Sequence, residues 1–318
     1  MSKLSVVIPA WNEQEAITTV VERILAAAEG LRQRAGVTDL EVLVVDDGSS
    51  DGTAQAVARF AAGCTQRRKR VRLLQHEANR GYGAALQTGF AAAGGSLLAF
   101  LDADCTYPPE HLPELCRSLL HAPEVDLVLG DRLHSHASQM PLVRRIGNAL
   151  FAAMVGLLTR RPAVDCCSGM RVMHASTWRA LGPLPTGLDF TPAMTVRALL
   201  SGVTIGQVVI PYYERVGRSK LSVLRDGVRF VRTIVREAHE CDPGRIWAAT
   251  GLAGALSLLG LTAGMAAVCA AQHAPWAFWG LGALLSVGGL VAGWSFLLGP
   301  ALPERARRLP RAEEERAL

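Results

Sequence analysis

From position 246 to 303 the chain holds no Asp, Glu, Lys or Arg. A globular domain has a charged surface, so this stretch cannot be one. Two apolar runs fill it, 246–270 and 276–298. Each is long enough to cross a bilayer core of about 30 Å with some tilt. Trp247, Trp276, Trp279 and Trp294 lie near their ends, where an aromatic belt sits. The link 271–275 has no Lys or Arg, whereas Arg305, Arg307, Arg308 and Arg311 follow the second run. The distribution predicts a transmembrane hairpin over 246–298 and a tail over 299–318, with both termini cytoplasmic.

All 33 Lys and Arg and all 28 Asp and Glu therefore sit in the rest of the chain, which then has an ordinary globular composition. A disordered chain, a collagen and a small disulfide scaffold are excluded. The net charge of +5 is concentrated before the apolar stretch: 215–245 carries eight basic and four acidic residues. An anionic membrane surface is the natural partner. No nucleic-acid motif accompanies the charge. Seven cysteines without a CxxC pair read as reduced thiols. The apolar run 4–8 is too short for a signal-peptide core.

Short β-rich runs at 4–8, 41–45, 71–75, 97–101 and 125–129 alternate with helical patterns at 13–29, 53–62 and 83–93. This predicts an α/β domain over 1–220, with a mainly parallel sheet and helices on both faces. Ligands of such sheets bind beyond the carboxyl ends of the strands. The apolar run 146–158 lies between Arg144-Arg145 and Arg160-Arg161. At about 20 Å as a helix it is too short to span, so it is either a core helix or an interfacial one. In 221–236, Leu221, Leu224, Val228, Val231 and Val235 share one helical face, and Arg225, Arg229, Arg232 and Arg236 another. The segment 221–245 is expected to lie on the membrane as an amphipathic helix.

The most polar motifs follow the strands. Asp102-Ala103-Asp104 closes the run 97–101, and alternate residues of an extended chain point the same way. Two carboxylates so placed suit a hard cation, Mg2+ or Mn2+, with positions left for diphosphate oxygens. Asp46-Asp47 closes 41–45, and its repulsion needs donors, which a nucleoside would offer.

Four ordered segments carry a resemblance. They are Val7-Ile8-Pro9-Ala10-Trp11-Asn12-Glu13, Val44-Val45-Asp46-Asp47-Gly48-Ser49-Ser50-Asp51-Gly52-Thr53, Asn79-Arg80-Gly81-Tyr82-Gly83-Ala84-Ala85 and Asp102-Ala103-Asp104. Together they resemble glycosyltransferase family 2. Three more segments narrow the resemblance to dolichyl- and polyprenyl-phosphate sugar synthases. These are Gly130-Asp131-Arg132, Asp165-Cys166-Cys167-Ser168-Gly169-Met170-Arg171, and Glu214-Arg215-Val216-Gly217-Arg218-Ser219-Lys220. The resemblance implies a GT-A fold, inversion at the sugar carbon, and an enzyme of the cytoplasmic membrane making envelope glycan. It implies that Pro9, Ala10, Glu13, Asp46, Asp47, Gly81, Asp102, Ala103 and Asp104 bind a UDP- or GDP-sugar. Asp102 and Asp104 would hold the metal, and Arg132, Arg215, Arg218, Ser219 and Lys220 the acceptor phosphate. Many relatives carry Gln two residues after the second Asp; this chain has Thr106.

Arg215, Arg218 and Lys220 suit a phosphoryl group without any family. A hydroxyl acceptor needs a base, and family members using one commonly show Glu-Asp six residues before an Arg. Counting back from Arg197 gives Phe190-Thr191 here, with Asp189 out of register. A phosphate monoester is mostly dianionic at pH 7 and needs cations rather than a base. Single-sugar transfer to a polyprenyl phosphate is the leading expectation. A lipid or glycan hydroxyl with Asp189 as base is the alternative, and a membrane scaffold with a decayed domain a third. The sugar, the nucleobase, the prenyl length and the oligomeric state, homo-oligomer included, stay open.

Overall fold

The computed structural model describes residues 2–63, 69–217, 220, 222–241 and 243. The expected hairpin and tail, and Arg218, Ser219 and Leu221, lie outside them. The chain divides between Val231 and Arg232. The sheet and everything said below of the site belong to the part before that division.

β1 (Ser2–Ala10), β2 (Val37–Asp46), β3 (Lys69–Gln75), β4 (Leu97–Phe100), β5 (Leu127–Asp131), β6 (Arg171–His174) and β7 (Ile205–Val209) form one sheet. Its order is β3-β2-β1-β4-β6-β5-β7. β6 runs antiparallel to both neighbours, and the other pairings are parallel, so the sheet is mixed. In register, Ala10 faces Asp46, Asp46 faces Gln75 and Val7 faces Phe100. The carboxyl ends of β1, β2, β3 and β4 thus line up on one edge, and every polar motif that follows them emerges there.

Helices cover both faces. α1 (Ile17–Ala26), α2 (Ala28–Ala35) and α5 (Leu112–His121) share one core with Leu4, Val6 and Ile8 of β1. α3 (Thr53–Gly63) packs on β3, and α4 (Tyr82–Ala92) packs on β1 and β2. The helix expected over 13–29 starts later, because Glu13 is held outside it: its N–H donates to Thr53 Oγ1 at 2.9 Å. It is also two helices, the second ending at Gly36 with φ +64°.

Sequence patterning misses β6, β7, α5, α7 (Ala175–Leu181) and α8 (Phe190–Leu200). β6 is four residues long and carries a fully buried Arg171. α8 is buried on nearly all sides, which erases its helical period.

The run at 146–158 belongs to α6 (Leu142–Thr159), which buries only Ala152, Val155 and Thr159. Leu142, Val143, Ile146, Leu150 and Leu157 are exposed, so it is not a core helix. At 18 residues it is about 27 Å long, and by length and composition alone it would reach across a membrane. α9 (Val223–Cys241) takes up the second amphipathic segment. It turns Asp226 and Phe230 inward and leaves Val223 and Val228 exposed. The Phe230 ring meets Phe151 of α6 edge-on at 5.7 Å.

Candidate active site

A cavity of about 520 Å3 opens at the carboxyl edge of the strands, within the size range of small-molecule sites. Where strand ends line it, its acids are Glu13, Asp47, Asp102 and Asp104. Where α6 and α9 line it, its charged residues are Arg144, Arg225, Asp226 and Arg229. Arg132, Arg215 and Lys220 also line it.

The loops after β1 and β2 are stitched together. Asn12 N–H donates to Ser49 Oγ (2.9 Å), Ser50 N–H to Asn12 Oδ1 (2.8 Å), and Asp47 N–H to the Ala10 carbonyl (2.8 Å). Pro9, Ala10 and Glu13 are thereby fixed at the cavity wall. Asp46 and Asp47 are both buried, but they differ. The Asp46 carboxylate accepts the Ser49 N–H at 3.2 Å, and its backbone carbonyl accepts the His76 N–H at 2.9 Å. Asp47 is a hub: Oδ1 receives Arg80 N–H (2.9 Å) and His76 Nδ1 (2.7 Å), and Oδ2 receives Gly81 N–H (2.8 Å). Its repulsion with Asp46 is offset by the protein, so Asp47 shapes the loop 79–81. Gly81 there has φ +103°, and a Cβ would stand 2.5 Å from the Thr186 carbonyl oxygen.

Past β4, Tyr82 O–H donates to Asp102 Oδ1 at 2.8 Å. Burial, and then the neighbouring charge of Asp104, push the Asp102 carboxyl up to about 7. Gly169 must stay without a side chain, because a Cβ would lie 2.7 Å from both Asp102 oxygens. Thr106, buried, donates both its N–H (3.1 Å) and its hydroxyl (2.5 Å) to Asp104 Oδ1. Its hydroxyl orients Asp104. The other oxygen, Oδ2, meets Arg215 Nη1 at 3.0 Å.

Arg215 also reaches Glu13 Oε1 at 2.7 Å, as does Lys220 Nζ. Lys220 further donates to the Trp11 and Asn12 carbonyls and lies 5.3 Å from the Trp11 ring centroid. The segment 213–216 is clipped to 104–106 by Tyr213 N–H to the Thr106 carbonyl (2.9 Å) and Val216 N–H to that of Asp104 (3.1 Å). Arg132 is buried beside the edge-to-face pair of Tyr107 and Tyr212, with its Nε and Nη2 gripped by Asp165 at 2.7 and 2.8 Å.

The structure thus gathers Pro9, Ala10, Glu13, Asp47, Gly81, Asp102, Ala103, Asp104, Arg132, Arg215 and Lys220 around one cavity. Asp46 sits one residue behind its wall, and Arg218 and Ser219 lie outside the described residues. The lining passes from Leu188 to Thr191 without Asp189. Sequence reasoning missed Tyr82, Thr106 as an orienting group, His76, and Asp226. Tyr82 was within a motif already singled out, but its reach to Asp102 depends on where α4 starts.

A divalent cation fits Asp102 and Asp104. Both carboxylates line the cavity past the end of β4, and Asp104 already pairs with the Arg215 guanidinium. Among the described residues no third His, Cys, Asp or Glu joins them, which leaves room for substrate oxygens.

Residues 5–181 match the model of "Glycosyl transferase family 2". A low-salt glycan biosynthesis hexosyltransferase of Haloferax volcanii is 30% identical over 82% of the chain, which spans 58% of that protein. A dolichyl-phosphate hexose transferase of the same organism is 31% identical over 74% of the chain and 94% of its own length. Glucosyl-3-phosphoglycerate synthase of Mycobacterium tuberculosis, solved with Mn2+, UDP and glucosyl-3-phosphoglycerate, superposes with a TM-score of 0.55. It is 22% identical and covers 74% of this chain and 80% of its own, which supports a GT-A-like fold. The chain is a glycosyltransferase and belongs to glycosyl transferase family 2.

Proposed function

We propose that this enzyme moves one sugar from a nucleotide sugar, UDP- or GDP-linked, to a polyprenyl phosphate at the cytoplasmic face of a membrane. The observation that carries this reading is the cavity's division. Carboxylates line it at the strand ends, and arginines of α6 and α9 line it beside an exposed apolar helix face. The relative named a dolichyl-phosphate hexose transferase supports the acceptor class.

The donor's nucleoside rests against Pro9, Ala10 and the Asp47–Gly81 loop, with its diphosphate directed to Asp102 and Asp104. Mg2+ or Mn2+ held by those carboxylates would neutralise the charge that builds on the leaving diphosphate. Tyr82 and Thr106 keep the two carboxylates aimed, so little reorganisation remains for the reaction. Arg215 and Lys220, with Arg218 and Ser219 between them in sequence, orient the acceptor phosphate. Its oxygen attacks the anomeric carbon from the face opposite the diphosphate, which inverts that carbon. The phosphate is mostly dianionic at neutral pH and needs no base to free its attacking oxygen, so the absence of Asp189 from the cavity wall is no obstacle. The exposed face of α6 would rest in the lipid interface and bring the cavity to the headgroup.

Proteoliposomes with undecaprenyl phosphate, Mn2+ and labelled UDP- or GDP-sugars test this. Label should enter a lipid that mild acid releases. An acid-stable lipid product would establish a hydroxyl acceptor instead.

A further inference from the structure

Cys166 and Cys167 are the central residues of a tight turn, closed by Ser168 N–H donating to the Asp165 carbonyl at 3.0 Å. The turn brings their Sγ atoms to 3.9 Å. Cys166 is buried, whereas Cys167 is partly exposed and lines the cavity. The proposed transfer assigns neither thiol a role.

Every neighbour of the pair is tied to the site. Asp165 grips Arg132. The Cys166 carbonyl accepts Arg171 Nη2 (2.8 Å) and Thr195 Oγ1 (3.4 Å). Ser168 Oγ donates to the Gly130 carbonyl (2.7 Å), and Gly169 N–H donates to Tyr107 Oη (2.6 Å). A change of backbone at 166–167 is therefore transmitted to Arg132 and to Gly169, which lies against Asp102.

We propose that Cys166 and Cys167 are a reversible oxidation site, which closes to a disulfide between adjacent residues and so disables transfer. The oxidant is a hydroperoxide. With hydrogen peroxide, the Cys167 sulfur attacks one oxygen; the S–O bond forms, the O–O bond breaks, and hydroxide leaves with the thiol proton as water. The Cys166 sulfur then attacks the Cys167 sulfur; the S–S bond forms, the S–O bond breaks, and a second water leaves with the Cys166 proton. Two thiols lose two electrons and two protons, and one peroxide becomes two waters. The sulfur of Cys167 beside it, together with burial, holds the Cys166 thiol well above the usual range. Cys167, partly exposed at the cavity wall, is the sulfur that the oxidant meets first.

Adjacent Cα atoms are about 3.8 Å apart across a trans peptide, less than the roughly 4.4–6.8 Å of ordinary disulfides. Closing the sulfurs to about 2.05 Å must twist the turn. Strained disulfides are easily reduced, which suits a reversible switch. The twist pulls the Cys166 carbonyl from Arg171 and Asp165 from Arg132.

The test uses the full-length enzyme in detergent, treated with hydrogen peroxide and then dithiothreitol. The proteolytic peptide holding both cysteines should lose two hydrogens, transfer should fall at least tenfold, and dithiothreitol should reverse both. Cys166→Ala should keep basal transfer and lose the reversible sensitivity; Cys167→Ser serves if that variant fails to fold. A peptide that gains oxygen without cross-linking overturns the proposal. So does equal, reversible inactivation of both variants. The activity arm rests on the proposed transfer, but the peptide mass reports the disulfide even if that reaction is wrong.

Discussion

Arg215 Nη1 lies 3.0 Å from Asp104 Oδ2, and the same guanidinium reaches Glu13 at 2.7 Å. A cation assigned to the acceptor phosphate is thus paired with the carboxylates of the donor side. A divalent ion held by Asp104 would compete with Arg215 for that carboxylate, and its binding would free Arg215 for the phosphate. Arg215→Met should therefore bind Mn2+ with UDP several-fold more tightly in calorimetry, while transfer falls about 100-fold, the scale of losing one positioned charge. Metal affinity that is unchanged or weaker in this variant would remove the competition.

His76 bridges Asp47 and α4: Nδ1 meets Asp47 Oδ1 at 2.7 Å, and Nε2 meets Thr88 Oγ1 at 2.9 Å. With the proton on Nδ1, the imidazole donates to the carboxylate and accepts the Thr88 hydroxyl. It does not line the cavity itself but bonds Asp47, which does, so it acts through Asp47 and the loop 79–81. A hydrogen bond to a charged group is worth about 1.5–3 kcal/mol. His76→Ala should raise the donor KM about tenfold or more and change kcat little. His76→Asn, whose amide N–H can take the place of Nδ1–H, should recover most of the loss. A matched fall in kcat with no rescue by Asn would mark a general folding defect instead.

The fold resists ionisation of Asp102. Burial, then Asp104, raise its carboxyl to about 7, from an unfolded value near 3.8–3.9. A raised carboxyl favours the folded state while protonated. Metal-free enzyme should therefore lose stability as pH climbs from about 4 to about 7. The metal needs the carboxylate, so its apparent affinity should fall about 100-fold between pH 8 and pH 5. Thermal melts with and without Mn2+ across this range check both signs. The Mn2+-induced rise in Tm should be largest at pH 8 and vanish near pH 5, and a pH-independent rise would contradict it.

Legibility followed local chemistry. β1, β2 and β4 could be read because each holds a run of apolar residues ended by a polar motif, β3 was read from Val71, Leu73 and Leu74, and their shared edge gathered the motifs that follow. Asp102 and Asp104 were legible for the same reason. Asp47 could be read as a site residue but not as the anchor of the loop 79–81, because its partners come from 33 and 34 residues away. Arg132 and Asp165 are likewise 33 apart, and only the sheet order brings them together. β6 was hidden by its brevity and its buried arginine, and α8 by burial on nearly all sides. α6 was ambiguous because composition alone does not say whether an apolar helix faces a core or a lipid.

That ambiguity carries the last prediction. Leu150 is 65% exposed and Leu157 78%, on a helix flanked by Arg144, Arg145, Arg160 and Arg161. Side chains this exposed make little contribution to folding, so changing both to Glu should alter stability by no more than about 0.5 kcal/mol each. If α6 rests in the lipid interface, each Leu gains about 2 kcal/mol there, and a Glu loses it. Leu150→Glu with Leu157→Glu should then cut transfer in proteoliposomes at least tenfold. Transfer to a short-chain polyprenyl phosphate in detergent should be retained. Equal rates in both settings would show that α6 does not seat the cavity on the membrane, and would leave α9 and the segments beyond it to do so.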